Sequence, residues 1–201
     1  MQYSILKENG VIMKKTICVY CSSSNHLDKK FYDIASALGE KIATEGFNLV
    51  YGGSNVGCMG VVSTSAAKHG AYVTGIMPKV FENCGIINKN ISKNIITEDM
   101  NDRKIQMENL ADFFVALPGS FGTMDEIFQV IVTKQLSYHK KGIVFLNVDG
   151  FYDPLFAMFE NFYKFGFAST QNKELFHIAT NVDEVIEYCK NYKEKEFALK
   201  R

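Results

Sequence analysis

Two textures of apolar residues alternate along this chain. Short, mostly apolar runs at 16–21, 47–51, 71–77, 112–117 and 143–147 read as strands, and 92–97 and 176–179 as weaker ones. Between them, apolar side chains recur every three or four residues. Phe31, Ile34, Ala35, Leu38 and Ile42 predict a helix over 28–45, ended by Gly46. A helix of small residues is expected to run on to about His69, and further helices over 99–110, 122–138, 152–164 and 182–190. The stretch 79–91 has no clear period and reads as a loop.

Strands alternating with helices imply right-handed crossovers and a parallel sheet covered on both faces. The expected architecture is one doubly wound α/β domain over 16–195, with an extension at 1–15 and a tail at 196–201. In such sheets a ligand binds outside the carboxyl ends of the strands, where the strand order reverses. Four stretches follow strand ends: 22–25, 52–60, 97–104 and 119–126. They are expected to converge on one pocket.

Composition narrows the partners. Lys plus Arg and Asp plus Glu balance at 22 each among 201 residues, so no excess charge points to nucleic acid or an anionic membrane. No apolar run approaches the roughly 20 residues of a membrane span. Met13-Lys14-Lys15 ahead of 16–20 faintly resembles a signal peptide, but the apolar part is too short and no cleavage-type site follows. The five cysteines, 18, 21, 58, 84 and 189, are odd in number and irregularly spaced, which fits a reducing cytoplasm better than a disulfide framework. Cys18 and Cys21 form a CxxC, yet strand alternation sends them to opposite faces and no second pair completes a zinc site. The four histidines show no ligand spacing, so no metal is expected. Aromatic residues crowd 151–163 on more than one helix face, which suggests a homodimer through that helix.

The candidate chemistry sits after the strand at 112–117. Pro118-Gly119-Ser120-Phe121-Gly122-Thr123-Met124-Asp125-Glu126 has the form of a strand end, a glycine turn and a helix start, where open backbone N–H groups attract an anion. Asp125 and Glu126 are expected in the first turn of that helix. Thr123 and Glu126 are also spaced as a capping box, Thr as N-cap and Glu as the third helical residue, which would explain both without a ligand. The stretch 52–60 is glycine-rich but has neither the dinucleotide nor the P-loop spacing. Arg103 and Lys104 fall near the start of a helix, where a cation costs about 0.3–1 kcal/mol unless an anion or a partner carboxylate offsets it.

Taken together, these motifs resemble one family. Gly52-Gly53-Ser54-Asn55-Val56-Gly57-Cys58-Met59-Gly60 is similar to its GGGxxGLMG, 100–104 to its MHERK, and 118–126 to its PGGxGTxxE. The family is the LOG type, cytokinin riboside 5'-monophosphate phosphoribohydrolases, long mislabelled lysine decarboxylases. The likeness runs from about Thr16 to Tyr188 and includes Leu146-Asn147-Val148-Asp149-Gly150-Phe151-Tyr152. It implies a Rossmann-like homodimer that hydrolyses the N-glycosidic bond of AMP or N6-modified AMP, a small nucleotide substrate, with no metal or organic cofactor. Arg103 and Glu126 match the catalytic pair. Lys104 and the turn Gly119, Ser120, Gly122 and Thr123 match phosphate and ribose contacts, and Ser22, Ser23, Gly52, Gly53, Glu82 and Asp125 complete the implied substrate set. Ser22, Ser54 and Ser120 stand where the family has glycine, and Val132 where it has threonine. Serine suits position 120 only if the turn does not require positive φ there. A cofactor carrier of the same fold, without hydrolysis, is the alternative, since relatives of that kind bind a molybdenum cofactor. A decarboxylase would need a pyridoxal phosphate lysine, and the sequence marks none.

Overall fold

The computed structural model describes residues 7–8, 11–12 and 14–197. At its centre is β3 (Thr16–Tyr20), after a two-residue antiparallel pair, β1 (Lys7–Glu8) with β2 (Val11–Ile12). Ile17, Cys18, Val19 and Tyr20 are all buried, as a strand covered on both faces requires. From β3 the chain steps outward through β4 (Asn48–Tyr51), β5 (Val73–Pro78) and β6 (Lys93–Thr97). It then returns to the other side of β3 as β7 (Phe113–Ala116) and continues to β8 (Gly142–Leu146) and β9 (His177–Ala179). Every pairing in this sheet is parallel, and the order is β6-β5-β4-β3-β7-β8-β9. The doubly wound α/β expectation holds, with the reversal between β3 and β7.

Among the described residues six α-helices accompany the strands, five between them and the last after β9: α1 (Lys29–Thr44), α2 (Gly57–Lys68), α3 (Met100–Leu110), α4 (Phe121–Gln135), α5 (Asp153–Lys164) and α6 (Val182–Asn191). Leu38 and Ile42 of α1, Val62 of α2 and Val185 and Ile186 of α6 pack with Ile17, Val19 and Leu49 on one sheet face. Met107 of α3 and Ile127 and Val130 of α4 pack with Cys18, Tyr20, Val50 and Phe114 on the other. Cys21 belongs to the first cluster and Cys18 to the second, so the CxxC is split across the sheet as strand alternation demands. No described helix is long and apolar enough to cross a membrane.

Two expectations need correction. The helix expected over 122–138 stops at Gln135, because Leu136 leaves the helix and Ser137 takes φ 62°. The loop at 79–91 holds a 3₁₀ turn, Lys79–Phe81, and its far part is pinned to the glycine turn: Ser54 bridges Ile87, and the Asn88 N–H donates to the Gly53 carbonyl at 3.0 Å. The aromatic residues of 151–163 are in part internal. Tyr152, Phe156 and Phe159 pack around Phe145 and Phe176, while Phe151 and Met158 remain exposed. Of the extension at 1–15, only 7–8, 11–12 and 14–15 lie among the described residues, and of the tail at 196–201 only 196–197.

Candidate active site

The four stretches that follow strand ends are joined by direct contacts. Gly57 has φ +59°, and a Cβ there would lie 2.5 Å from the Ser23 backbone, so the loop at 22–25 rests on the glycine turn. Met59 N–H donates to the Ser22 carbonyl and Gly57 N–H to Asn25 Oδ1. A Cβ on Gly52 would overlap the Arg103 guanidinium, which brings the turn against α3. The lack of a side chain at Gly52 is what lets Arg103 lie there.

Arg103 is 7% exposed and held at two points. Its Nε donates to the Ile76 carbonyl within β5 (3.0 Å), and its Nη1 to Glu126 Oε1 (2.5 Å). Glu126 is 6% exposed, so the pair is a buried one. Beside it, Lys104 Nζ donates to both carboxylate oxygens of the exposed Asp125, at 3.0 and 2.9 Å. The cations placed against the α3 dipole thus have their partner carboxylates, both supplied by α4. Further down the same seam, Glu108 accepts from Thr133 Oγ1 (3.1 Å) and Gln129 Nε2 (3.4 Å), which keeps the two helices in register.

The two helix starts differ. In α3, Asp99 Oδ1 accepts from the N–H groups of Asn101 and Asp102, both at 2.8 Å, so its first turn is capped by its own chain. In α4, the N-cap is Ser120, whose side chain makes no capping bond. The expected capping box is therefore absent: Thr123 and Glu126 lie inside the helix, and the first turn holds no acidic residue. Thr123 is buried under Gly119, where a Cβ would overlap its side chain. Gly122 is exposed, with no atom within 4 Å of a would-be Cβ. The N–H groups of this first turn face an open approach at the positive end of a 15-residue helix, an anion-binding geometry. Ser120 has φ −106°, so serine fits where the family has glycine.

Glu126 does not behave as its partner alone would dictate. Burial raises its pKa above the ordinary carboxylate value, with Arg103 opposing this. Desolvation is the larger influence, and the adjacent Arg103 cation offsets only part of it.

A family model described as possible lysine decarboxylases matches residues 59–189. A cytokinin riboside 5'-monophosphate phosphoribohydrolase of Arabidopsis thaliana, LOG5, is 35% identical over 179 residues, covering 89% of this chain and 78% of that one. A probable enzyme of the same name from Oryza sativa subsp. japonica, LOGL1, is 36% identical over 176 residues, covering 88% and 79%. The chain belongs to the LOG family. A solved structure titled as the molybdenum cofactor binding protein of Rippkaea orientalis matches with TM-score 0.69 and 25% identity, covering 90% of this chain and 98% of that one. A Moco carrier protein of Chlamydomonas reinhardtii, at TM-score 0.67 and 22% identity over 89% and 96%, shares the fold. The Rossmann-like architecture is therefore shared with proteins titled as binding or carrying a molybdenum cofactor.

Set against the LOG motifs, the structure brings together Arg103, Glu126, Lys104, Asp125, Gly52, Gly119 and Thr123, with Ser22 and Ser23 on the neighbouring loop. Glu82 is exposed at the end of the 3₁₀ turn and joins no ion pair among the described residues, so no ion pair ties it to this cluster. Two features escaped sequence reasoning. The Ile76 carbonyl that holds Arg103 is backbone and carries no sequence signal. Phe121, 92% exposed at the first position of α4, was legible only as an apolar residue inside a turn motif. The buried Lys134 serves the interior. Burial lowers its pKa to about 8, its Nζ donates to the Leu175 carbonyl at 2.8 Å, and the rings of Tyr192 and Phe197 lie over it.

Proposed function

We propose that this protein hydrolyses the N-glycosidic bond of AMP or an N6-modified AMP, a cytokinin riboside 5'-monophosphate. The C1'–N bond breaks, water supplies the new C1'–O bond, and the products are free base and ribose 5-phosphate. The observation that carries the reading is the buried Arg103–Glu126 pair beside an uncapped helix N-terminus. Cleavage of this bond builds positive charge on the ribose. Glu126, ionised, stabilises that charge and orients the attacking water, while Arg103 fixes Glu126. Lys104 and the turn Gly119, Ser120, Gly122 and Thr123 take the phosphate and ribose. Ser22, Ser23, Gly52, Gly53, Asp125 and Glu82 form the rest of the proposed substrate set, and no cofactor is required. The five cysteines, all free thiols, support a cytoplasmic setting.

A carrier without hydrolysis is the competing reading, supported by the likeness to the molybdenum cofactor binding protein. The buried carboxylate favours hydrolysis, since a carrier of a polyanionic cofactor gains nothing from a second anion fixed in its site. Incubation with AMP and with isopentenyl-AMP, following free base and ribose 5-phosphate, decides between them. Release of base from either supports hydrolysis, and release from neither returns the protein to the carriers.

A further inference from the structure

The segment Leu146–Tyr152 contributes no side chain to the ion-pair cluster, yet it reaches the anion turn from behind. Tyr152 is 2% exposed, and its hydroxyl donates to the Leu117 carbonyl at 2.6 Å. Leu117 is the last residue before Pro118, and its own N–H donates to the Tyr20 carbonyl at 3.0 Å. Both polar groups of Leu117 are thereby fixed, one by the sheet and one by Tyr152. Pro118 has no N–H to add a further tie, so the Leu117–Pro118 peptide plane is held through its carbonyl by the Tyr152 hydroxyl, while the Leu117 N–H fixes the plane before it. That plane sets where Gly119 leaves the strand, and Gly119 sits directly on Thr123.

Tyr152 is itself held from several sides. Its N–H donates to Asn147 Oδ1 at 2.8 Å, and Asn147 Nδ2 donates to Asp153 Oδ1 at 2.7 Å. Its ring meets those of Phe145 and Phe151 edge to face, with centroids 5.1 and 4.9 Å away. The backbone turns sharply just before it, with Asp149 at φ 49° and Gly150 at φ 72°. A strained turn of this kind needs a surrounding structure that holds it, and here it aims one hydroxyl at one carbonyl.

We infer that Tyr152 is a positioning residue for the anion turn, acting through the Leu117 carbonyl to hold the first N–H groups of α4 in their binding orientation. The inference rests on the reading of that turn as the phosphate site. Removing the hydroxyl leaves a buried carbonyl without its donor, which frees the turn to reorient.

The test compares Tyr152→Phe with Phe156→Leu, which loosens the same aromatic cluster and leaves the Leu117 bond intact. Amide hydrogen exchange is read at Leu117, bonded to Tyr20, and at Met124, bonded to the Ser120 carbonyl. Ribose 5-phosphate binding is measured by calorimetry. Tyr152→Phe should speed exchange at these two sites and weaken ribose 5-phosphate, each by about tenfold. Phe156→Leu should leave both within about twofold of wild type at equal or greater loss of stability. Asn147→Ala, which releases the Tyr152 N–H, should reproduce the local effect more weakly. Unchanged exchange at Leu117 and Met124 in Tyr152→Phe, or an equal effect in Phe156→Leu, overturns the inference. Faster exchange in a protein whose wild type does not bind ribose 5-phosphate keeps the positioning role and removes the phosphate reading instead.

Discussion

Glu126 concentrates the chemistry at the scale of one residue. Its carboxylate is buried against Arg103, and desolvation holds its pKa above the ordinary value. If the ionised form is the working one, kcat/KM should fall as pH drops through that raised pKa, giving an acid limb above the free-carboxylate value of 4.5. The stability linkage has the opposite sense. The folded state keeps this proton to higher pH than the unfolded chain, so the residue's contribution is present below the unfolded value and lost as pH rises through the folded one. Denaturation of wild type and Glu126→Gln at several pH values should show this dependence in the first and not in the second. The same variant should retain AMP binding and lose about 10² to 10³ in turnover, the effect of one fixed electrostatic group. Near-wild-type release of adenine would remove Glu126 from the catalytic role. These two residues were legible as a motif pair, but the direction of the pKa was not, because burial is set by neighbours distant in sequence.

At the scale of elements, the working unit is the seam between α3 and α4. Arg103–Glu126, Lys104–Asp125 and Glu108 with Gln129 and Thr133 follow one another down it. Thr123 and Glu126 misled as a capping box because a spacing of three places residues on one face whether a helix begins there or is already under way. In the fold that face is interior: Thr123 meets Gly119 and Glu126 meets Arg103. The true cap in this region is Asp99, on the other helix. Asp99→Ala should cost about 0.5–2 kcal/mol, read as a lower urea midpoint at unchanged slope. It should also lower activity, because the first turn of α3 carries Arg103. A midpoint equal to wild type would show that the Asp99 bonds contribute no net stability.

For the whole molecule, the strand order decides the site. The chain leaves β3 in one direction and resumes beside it in the other, so the ends of β3, β4 and β7 open at one crevice. We also propose a homodimer, with Phe151 and Met158 of the α5 region left exposed beside the aromatic cluster that fills the chain's own interior. Light scattering at micromolar concentration should give twice the chain mass, and Met158→Glu should reduce it to one. A monomeric wild type would discard the dimer.

Local pattern alone determined the alternation of strands and helices and the parallel sheet, since period, breakers and caps are short-range properties of the chain, and the motif residues were legible through their resemblance to the LOG family. Tertiary structure decided which motifs meet. Ser22, Gly52, Arg103 and Glu126 become neighbours only through the order of β3, β4 and β7, which no local spacing encodes. It also decided which helix start stays open. Asp99 closes the first turn of α3 with its own side chain, while Ser120 leaves that of α4 uncapped, and an anion is attracted to backbone donors that the fold has not already used.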